Sequence, residues 1–297
     1  MTLLTDALSY FRAPGVAAFL GGGILTQGES TLTSGRGRFL LNDEVFYFMD
    51  SVVITDPQYT IRTDSLKYDT RSEVSYFFGP TEIISEERFI YCESGWHDTR
   101  QEISFVTDHA YLEEEGRILR GDTLYYEAGT GFGRATSNVS LEDTTENTVL
   151  KGHFALYYSD GETAMVTDSA LMIQIDGTDT MYVHADTLRS MLNTETEAGS
   201  RILKAYYRVK IYRHDLQVMC DSLVYIEADS AFDFFGEPVI WSQENQLTAD
   251  QIRVVMENQK LHRMFLTGVS LVVSQKDEDK YDQMRGKEMT GYFSDNN

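Results

Sequence analysis

Aspartates recur along the chain at a spacing that could build a row of calcium sites. They are Asp6, Asp64, Asp122, Asp186, Asp221 and Asp250, each two residues before a leucine or isoleucine. Calcium needs several oxygen ligands around each carboxylate, and calcium-binding solenoids supply them from short glycine-rich repeats, which this sequence lacks. The pattern therefore favours a structural role, in which each aspartate hydrogen-bonds its own backbone at a bend.

No other arrangement of reactive residue types indicates an enzyme. The six histidines show no HExxH or similar metal-ligand spacing, and the sequence has no G-x-S-x-G, P-loop or dinucleotide-binding motif. His97, beside Asp98, comes nearest to a site, and we expect it at the surface. Cys92 and Cys220 occupy equivalent positions several strands apart, so we expect packed thiols and no disulfide. We predict no catalytic residue, metal or cofactor.

The aspartates mark a repeat of about 30 residues. The stretch from Ile61 to Ile84 reads IRTDSLKYDTRSEVSYFFGPTEII, and the stretch from Val218 to Trp241 reads VMCDSLVYIEADSAFDFFGEPVIW. An apolar residue lies three positions before the aspartate, a small residue one before, an aliphatic residue two after and usually a tyrosine four after. A second phrase, half a period later, begins with Gly, Asp or Asn and runs into aliphatic residues. Each period therefore holds two short segments.

Both segments have the composition of β-strands. They are rich in Val, Ile, Tyr, Phe and Thr, they alternate apolar with polar residues, and Gly, Asp, Asn and Ser bound them. The alternation shifts by one residue at the aspartate, because the apolar positions before it and after it differ in parity. We therefore predict a bulge or bend at Asp-Ser/Thr in most repeats, which would turn all four apolar positions to one side.

These features predict an all-β fold of about ten repeats of about 30 residues, with two strands each. We expect a single elongated repeat domain over residues 1–297, because stacked repeats bury a shared core. The period alone leaves parallel coils and antiparallel strands both open. The chain begins within a repeat, which indicates a fragment of a longer secreted protein.

The apolar residues after the aspartates are expected to face the interior. The tyrosines that recur four residues after the aspartates are compatible with ordinary core packing. They are also compatible with a lengthwise groove between two sheets, which would suit a long apolar ligand. The candidate lining residues are Leu66, Tyr68, Leu124, Tyr126, Leu188, Leu223, Tyr225, Ile252 and Val254.

The net charge and the hydropathy of the sequence argue against nucleic-acid binding and against a membrane-spanning helix. The formal net charge of −22 argues against nucleic acid as a partner, because nucleic-acid binding depends on Lys and Arg neutralising phosphates. No apolar run approaches the roughly 18 residues of a membrane-spanning helix, so we expect a soluble chain.

One run resembles a known family. The run from Ile202 to Ile252, ILKAYYRVKIYRHDLQVMCDSLVYIEADSAFDFFGEPVIWSQENQLTADQI, resembles the OstA-like family, which is related to the lipopolysaccharide-transport protein LptA and the N-terminal domain of LptD. A weaker likeness extends from Leu3 to Val273. The resemblance implies a twisted β-jellyroll in the periplasm that shields lipopolysaccharide acyl chains between two sheets and helps to bridge to the outer membrane.

The resemblance also implies partners. Other Lpt-type jellyroll proteins would join by edge-strand addition, copies could associate end to end, and partners would supply the link to the outer membrane. The strong negative charge directs the expected lipid contact to the apolar interior and away from the headgroup phosphates. The alternative is a non-lipid structural or adhesive β-solenoid with a solid interior. A polysaccharide-cleaving β-helix enzyme is less favoured, because no acidic or basic cluster for catalysis is recognisable.

Overall fold

The structure, a computed structural model, describes residues 2–114, 116–145, 147–158, 163–177, 179–193, 199–257, 260–277 and 280–293. These residues form β-strands almost throughout, with a short 3-10 turn at Glu227–Asp229. The predicted all-β fold class is confirmed. In the described part of the chain, no helix is long and apolar enough to cross a membrane.

Two compact units make up the chain, Met1–Asp143 and Thr144–Asn297. We call them unit 1 and unit 2. The assignment of residues 1–297 to a single domain stays a prediction.

Unit 1 contains thirteen described strands. They are β1 (Thr2–Thr5), β2 (Leu8–Phe11), β3 (Val16–Gln27), β4 (Ser30–Leu40), β5 (Val45–Thr55), β6 (Tyr59–Asp69), β7 (Val74–Ser85), β8 (Arg88–Asp98), β9 (Ile103–Thr107), β10 (Tyr111–Glu114), β11 (Arg117–Arg120), β12 (Thr123–Glu127) and β13 (Phe132–Asp143).

Unit 2 contains eleven described strands. They are β14 (Thr148–Tyr158), β15 (Thr163–Asp176), β16 (Asp179–Leu192), β17 (Arg201–Arg213), β18 (Leu216–Ile226), β19 (Ala231–Phe235), β20 (Val239–Ser242), β21 (Asn245–Thr248), β22 (Gln251–Glu257), β23 (Lys260–Asp277) and β24 (Lys280–Tyr292).

Successive strands pair as antiparallel neighbours. In unit 1 the ladder runs from β3 to β9 through consecutive hairpins, and in unit 2 it runs likewise from β14 to β18. Every pairing described within the two units is antiparallel, so the repeat is a pair of antiparallel strands and the parallel-coil alternative is wrong for these residues. Several strands are also longer than the short segments expected from the sequence, because β6, β16 and β18 continue through Asp64, Asp186 and Asp221.

Each long strand bends near its centre. The register of neighbouring strands shifts at the bend, for example between Thr63 and Ser65 of β6 and between Phe78 and Thr81 of β7. The bend turns residues of different parity to the same side: Ile61 and Leu66 are both 1% exposed, on either side of the exposed Asp64. The predicted bulge at Asp-Ser/Thr is confirmed in these strands.

Every second strand makes its bend with residues of positive φ. They include Asp50 (φ 65°), Gly79 (φ 90°), Asp108 (φ 60°), Asn138 (φ 53°) and Gly268 (φ 94°). Glycine, aspartate and asparagine tolerate this left-handed region best, which explains why the second phrase of the repeat begins with them. The sequence pattern placed these residues at strand boundaries. Asp108 does lie at one, between β9 and β10, whereas the other four lie at bends inside longer strands.

The repeated aspartates lie beside these bends. Asp122 accepts hydrogen bonds from Asn138 Nδ2 (3.1 and 3.0 Å), and Asp186 forms a bidentate pair with Arg208. Asp64 lies against Gly79 of the neighbouring strand. The expectation that each aspartate binds its own backbone is therefore wrong for Asp122 and Asp186, because the bend of the next strand brings a side-chain donor within reach.

Both cysteines are packed thiols, as predicted. Cys92 is 0% and Cys220 is 8% exposed, and both are free. Burial raises the pKa of each thiol to about 12, so neither has the low pKa of a reactive cysteine.

Candidate functional site

The bent strands of unit 1 enclose a groove. Because the long strands bend near their centres, their two halves belong to two layers, which we call the first arm and the second arm. The first arm contains the strand halves with Ile54, Ile61 and Ile83, and the second contains those with Leu66 and Tyr68. Side chains of both arms line a groove of about 540 Å³, which is within the usual range for small-molecule sites.

One wall of the groove is aliphatic, whereas the second arm also contributes Ser75 and Ser104 to the lining. The aliphatic lining of the groove consists of Leu25, Leu32, Ile54, Ile61, Leu66, Ile83 and Ile90. These residues come from successive strands, because two positions recur every 29 residues on the interior side. Leu25, Ile54 and Ile83 share one position, and Leu32, Ile61 and Ile90 share the other. The aliphatic wall therefore runs across the strands of the unit and suits a ligand without polar groups along its length.

Pairs of side chains connect the two arms at the mouth of the groove. The Tyr59 ring of the first arm contacts the His97 ring of the second edge-on, with ring centroids 5.7 Å apart. The Arg88 guanidinium of the first arm lies 4.4 Å from the ring centroid of Tyr126 in the second. These contacts partly close the groove and show that the arms face each other.

Polar groups concentrate at this mouth. His97 Nδ1 is 3.0 Å from Ser104 Oγ, and Asp56 accepts a hydrogen bond from Ser30 Oγ (2.5 Å). Arg88 pairs with Glu114, while its buried Nε has no hydrogen-bond partner among the described residues. The groove thus combines an aliphatic wall with a polar rim, and Arg88 retains one N–H for an acceptor on a ligand.

Burial changes the acidity of the mouth residues. It raises the pKa of Tyr59 to about 12, with a further contribution from Asp56. It lowers the pKa of His97, against the opposing influence of Asp98, Glu102 and Asp56. Near neutral pH both rings are therefore uncharged, as suits an apolar ligand.

Comparison with known proteins supports the resemblance seen in the sequence. The family model described as OstA-like protein matches residues 1–64. We call residues 1–64, which are similar to that family, the OstA-like segment. Comparison with curated proteins gives no match. The OstA-like segment includes Leu32, Ile54 and Ile61 of the groove wall, so the family match and the groove coincide in part. The match covers the first repeats of the chain, whereas the sequence pattern was strongest from Ile202 to Ile252.

The candidate lining residues of unit 1 all face its interior. Leu66, Tyr68 and Tyr126 line the groove beside the wall of the OstA-like segment. Leu124 is 5% exposed and pairs across the strands with Val106 and Ala135, so it belongs to the packed core next to the groove. Their role toward lipid stays a prediction.

The candidate lining residues of unit 2 belong to a packed core. Leu223 (8% exposed) and Ile252 (0%) are members of a continuous hydrophobic cluster, and Leu188 and Val254 pack against it. The Tyr225 ring stacks on Phe232, with centroids 4.4 Å apart. The structure therefore assigns packing to the equivalent positions of unit 2, and groove lining to Leu66, Tyr68 and Tyr126 of unit 1.

Sequence reasoning missed two residues of the mouth. His97, expected at the surface, is half-buried against Tyr59 and lines the groove. His97 lies four residues after Glu93, where the register of β8 shifts. Tyr68 and Tyr126 hold the same place after Asp64 and Asp122, and this was the available signal. Arg88 gave no such signal, because its contact with Tyr126 joins residues of different strands and different arms.

The neutral His97 should make folding pH-dependent. The folded state binds fewer protons at His97 than the unfolded chain does, because burial lowers its pKa. Its contribution to stability is present above the ordinary histidine pKa of about 6.5 and is lost progressively as the pH falls from that value through the lower pKa of the folded state. We expect the free energy of unfolding to fall more steeply from about pH 7.5 to about pH 5.5 in the parent chain than in His97→Gln.

Urea unfolding at each pH measures this difference. The control is His153→Gln, which removes an exposed imidazole outside unit 1. Equal pH profiles for the parent and His97→Gln would contradict the assignment of His97 to the closed mouth.

Proposed function

We propose that the chain is a periplasmic lipopolysaccharide-binding and transport scaffold. In this proposal, the groove of unit 1 shields an acyl chain between its two arms, and the chain performs no catalytic step. The observation that carries the proposal is the aliphatic wall with its polar rim, which begins in the OstA-like segment.

An acyl chain matches the groove physically. Burying methylene groups against aliphatic side chains contributes about 25 cal/mol per Å² of apolar surface, and the neutral rings of Tyr59 and His97 place no charge beside the acyl chain. The unpartnered Nε–H of Arg88 offers one hydrogen bond to an ester, amide or phosphate oxygen where the acyl chain enters. The remaining headgroup stays outside, as the net charge of −22 favours.

Partners would join through the strand edges. In unit 1, β1 and β2 pair with β3, and in unit 2, β24 pairs with β23. The described residues provide no second neighbour for β24. Lpt-type jellyroll proteins, or another copy of this chain, could add a strand there, since an edge offers unpaired N–H and C=O groups. Such contacts would link the periplasmic chain to the outer membrane.

Site-specific photocrosslinking tests the proposal. Ile83 lines the groove, whereas Ile84, the next residue of β7, points to the opposite face of the strand. A photoreactive residue at position 83 should capture lipopolysaccharide in the full chain, and one at position 84 should give only background capture. A second photoreactive residue, at position 126, probes the groove independently in case crosslinking from position 83 fails.

The yields decide between the alternatives. Capture at 83 and 126 without capture at 84 supports the groove as the acyl-chain site. Background yields at both groove positions in a folded chain would overturn the proposal and leave the non-lipid structural role.

A further inference from the structure

A strip of aromatic and amide side chains crosses the outer face of unit 2. The strand register places Tyr182, Tyr212, Gln217, Trp241 and Gln246 side by side on β16, β17, β18, β20 and β21. We call these five residues the outer strip. They lie on the face opposite the core, because the residues between them, such as Val183 and Ile211, are buried.

The outer strip is accessible. Tyr182 is 40% and Tyr212 is 54% exposed, their ring centroids lie 6.4 Å apart, and Gln217 is exposed between Tyr212 and Trp241. The Trp241 Nε1 group donates to Gln246 Oε1 (3.2 Å). This bond uses the amide oxygen and leaves the Gln246 NH₂ group to donate outward.

The row next to the outer strip carries no carboxylate. The neighbouring positions on the same strands are His184, Lys210, Met219, Val239 and Thr248. The corresponding rows of unit 1 also contain apolar and aromatic residues, such as Ile84 and Tyr91, but the ion pair Arg62–Glu82 (3.7 Å) lies within them. The rows of unit 2 contain no such carboxylate.

The dimensions of the outer strip exclude large partners. Five strands at about 4.8 Å spacing give a length of about 19 Å, and two rows of side chains set the width. This area is far below the roughly 800 Å² per partner of a stable protein interface. Carboxylates border the strip on both sides, with Asp186 and Asp221 at the bend and Asp215 beyond Tyr212. They would repel an anionic membrane surface pressed against this face.

An extended saccharide fits the remaining constraints. A pyranose ring has an apolar C–H face that packs on an aromatic ring, and equatorial hydroxyls that bind side-chain amides. Aromatic and amide side chains follow one another along the outer strip at the strand spacing, which is close to the length of one sugar unit. A linear chain lying across the strands would meet both kinds of group in turn.

We propose that the outer strip of unit 2 binds an extended saccharide chain. Tyr212 and Trp241 stack on the sugar rings, and Gln217 and Gln246 bind the hydroxyl groups. This inference goes beyond the proposed function, because it concerns the outer face of unit 2 and no residue of the groove takes part.

Tryptophan fluorescence provides the test. The chain has two tryptophans, Trp96 in unit 1 and Trp241 in the outer strip, so the full chain carrying Trp96→Phe reports on Trp241 alone. We expect at least one of three soluble probes, cellohexaose, maltohexaose or chitohexaose, to shift this fluorescence saturably at millimolar concentrations or below. Tyr212→Ala should weaken that binding about tenfold, and Gln217→Ala should weaken it several-fold.

Controls separate this proposal from the others. Tyr91→Ala, on the outer face of unit 1, should leave saccharide binding unchanged, and circular dichroism checks that each variant is folded. No response to any of the three saccharides would overturn the proposal. It would also be overturned if Tyr212→Ala abolished self-association or flotation with phosphatidylglycerol vesicles instead, since the strip would then serve a second copy or a membrane.

Discussion

Phe77→Ala is expected to destabilise unit 1 by about 3–5 kcal/mol, the usual cost of truncating a buried phenylalanine. Phe77 is 1% exposed and pairs across the strands with Leu66, another fully buried residue. The substitution would leave a cavity between two neighbouring strands at the base of the groove. The expected loss is large because side chains alternate between the two faces of the strand in the FFG motif (Phe77–Gly79), and this alternation turns Phe77 toward the interior.

The second phenylalanine of the motif is the matched control. Phe78 is 52% exposed, so Phe78→Ala should change the free energy of unfolding by no more than about 0.5 kcal/mol. Urea unfolding followed by Trp96 fluorescence, in the full chain with Trp241→Phe, measures both variants in unit 1. Comparable losses in the free energy of unfolding for the two variants would show that the bend of β7 does not determine which phenylalanine points inward.

Gly268→Ala is expected to destabilise unit 2 through the bend of β23. Gly268 has φ 94°, and a Cβ atom there would overlap the Asp250 carboxylate of the neighbouring strand. The left-handed backbone costs an L-residue about 1–2 kcal/mol, and the overlap adds about 1–3 kcal/mol of overpacking. We therefore expect a total loss of about 2–5 kcal/mol.

Gly22→Ala separates the two contributions. Gly22 also makes a bend, with φ 104°, but no atom lies within 4 Å of the position that an alanine Cβ would occupy, so only the backbone cost of about 1–2 kcal/mol applies. Asp250→Gly should recover part of the loss of Gly268→Ala, since the chain itself places Gly35 opposite Asp50 at an equivalent bend. Urea unfolding of each full-length variant measures the effects, and equal losses at positions 22 and 268 would refute the steric role of Asp250.

The repeat made much of the strand arrangement predictable. The parity change around Asp64 predicted a bend, and the structure contains it between Thr63 and Ser65. The small position before the aspartate predicted packed thiols at Cys92 and Cys220, and both are buried. These inferences succeeded because they depend on neighbours within one strand, where side-chain direction follows directly from the number of residues.

Contacts between strands were less accessible from the sequence. The partner of Asp186 is Arg208, 22 residues later, and that of Asp122 is Asn138. A bend brings these residues together, and no local rule states which donor the next strand supplies. The direction of pairing was equally open, because a period of about 30 residues accommodates both parallel and antiparallel strands.

For the candidate site, the sequence by itself determined which side chains face the interior, because a two-residue alternation interrupted by a one-residue shift assigns every position of a strand to one face. Only the tertiary structure decided what that interior contains. Leu66 and Leu223 hold the same place in the repeat, yet Leu66 lines a groove and Leu223 belongs to a packed cluster. The difference depends on which side chains meet across each interior, as Tyr59 and His97 do in unit 1, and these residues lie far apart in the chain.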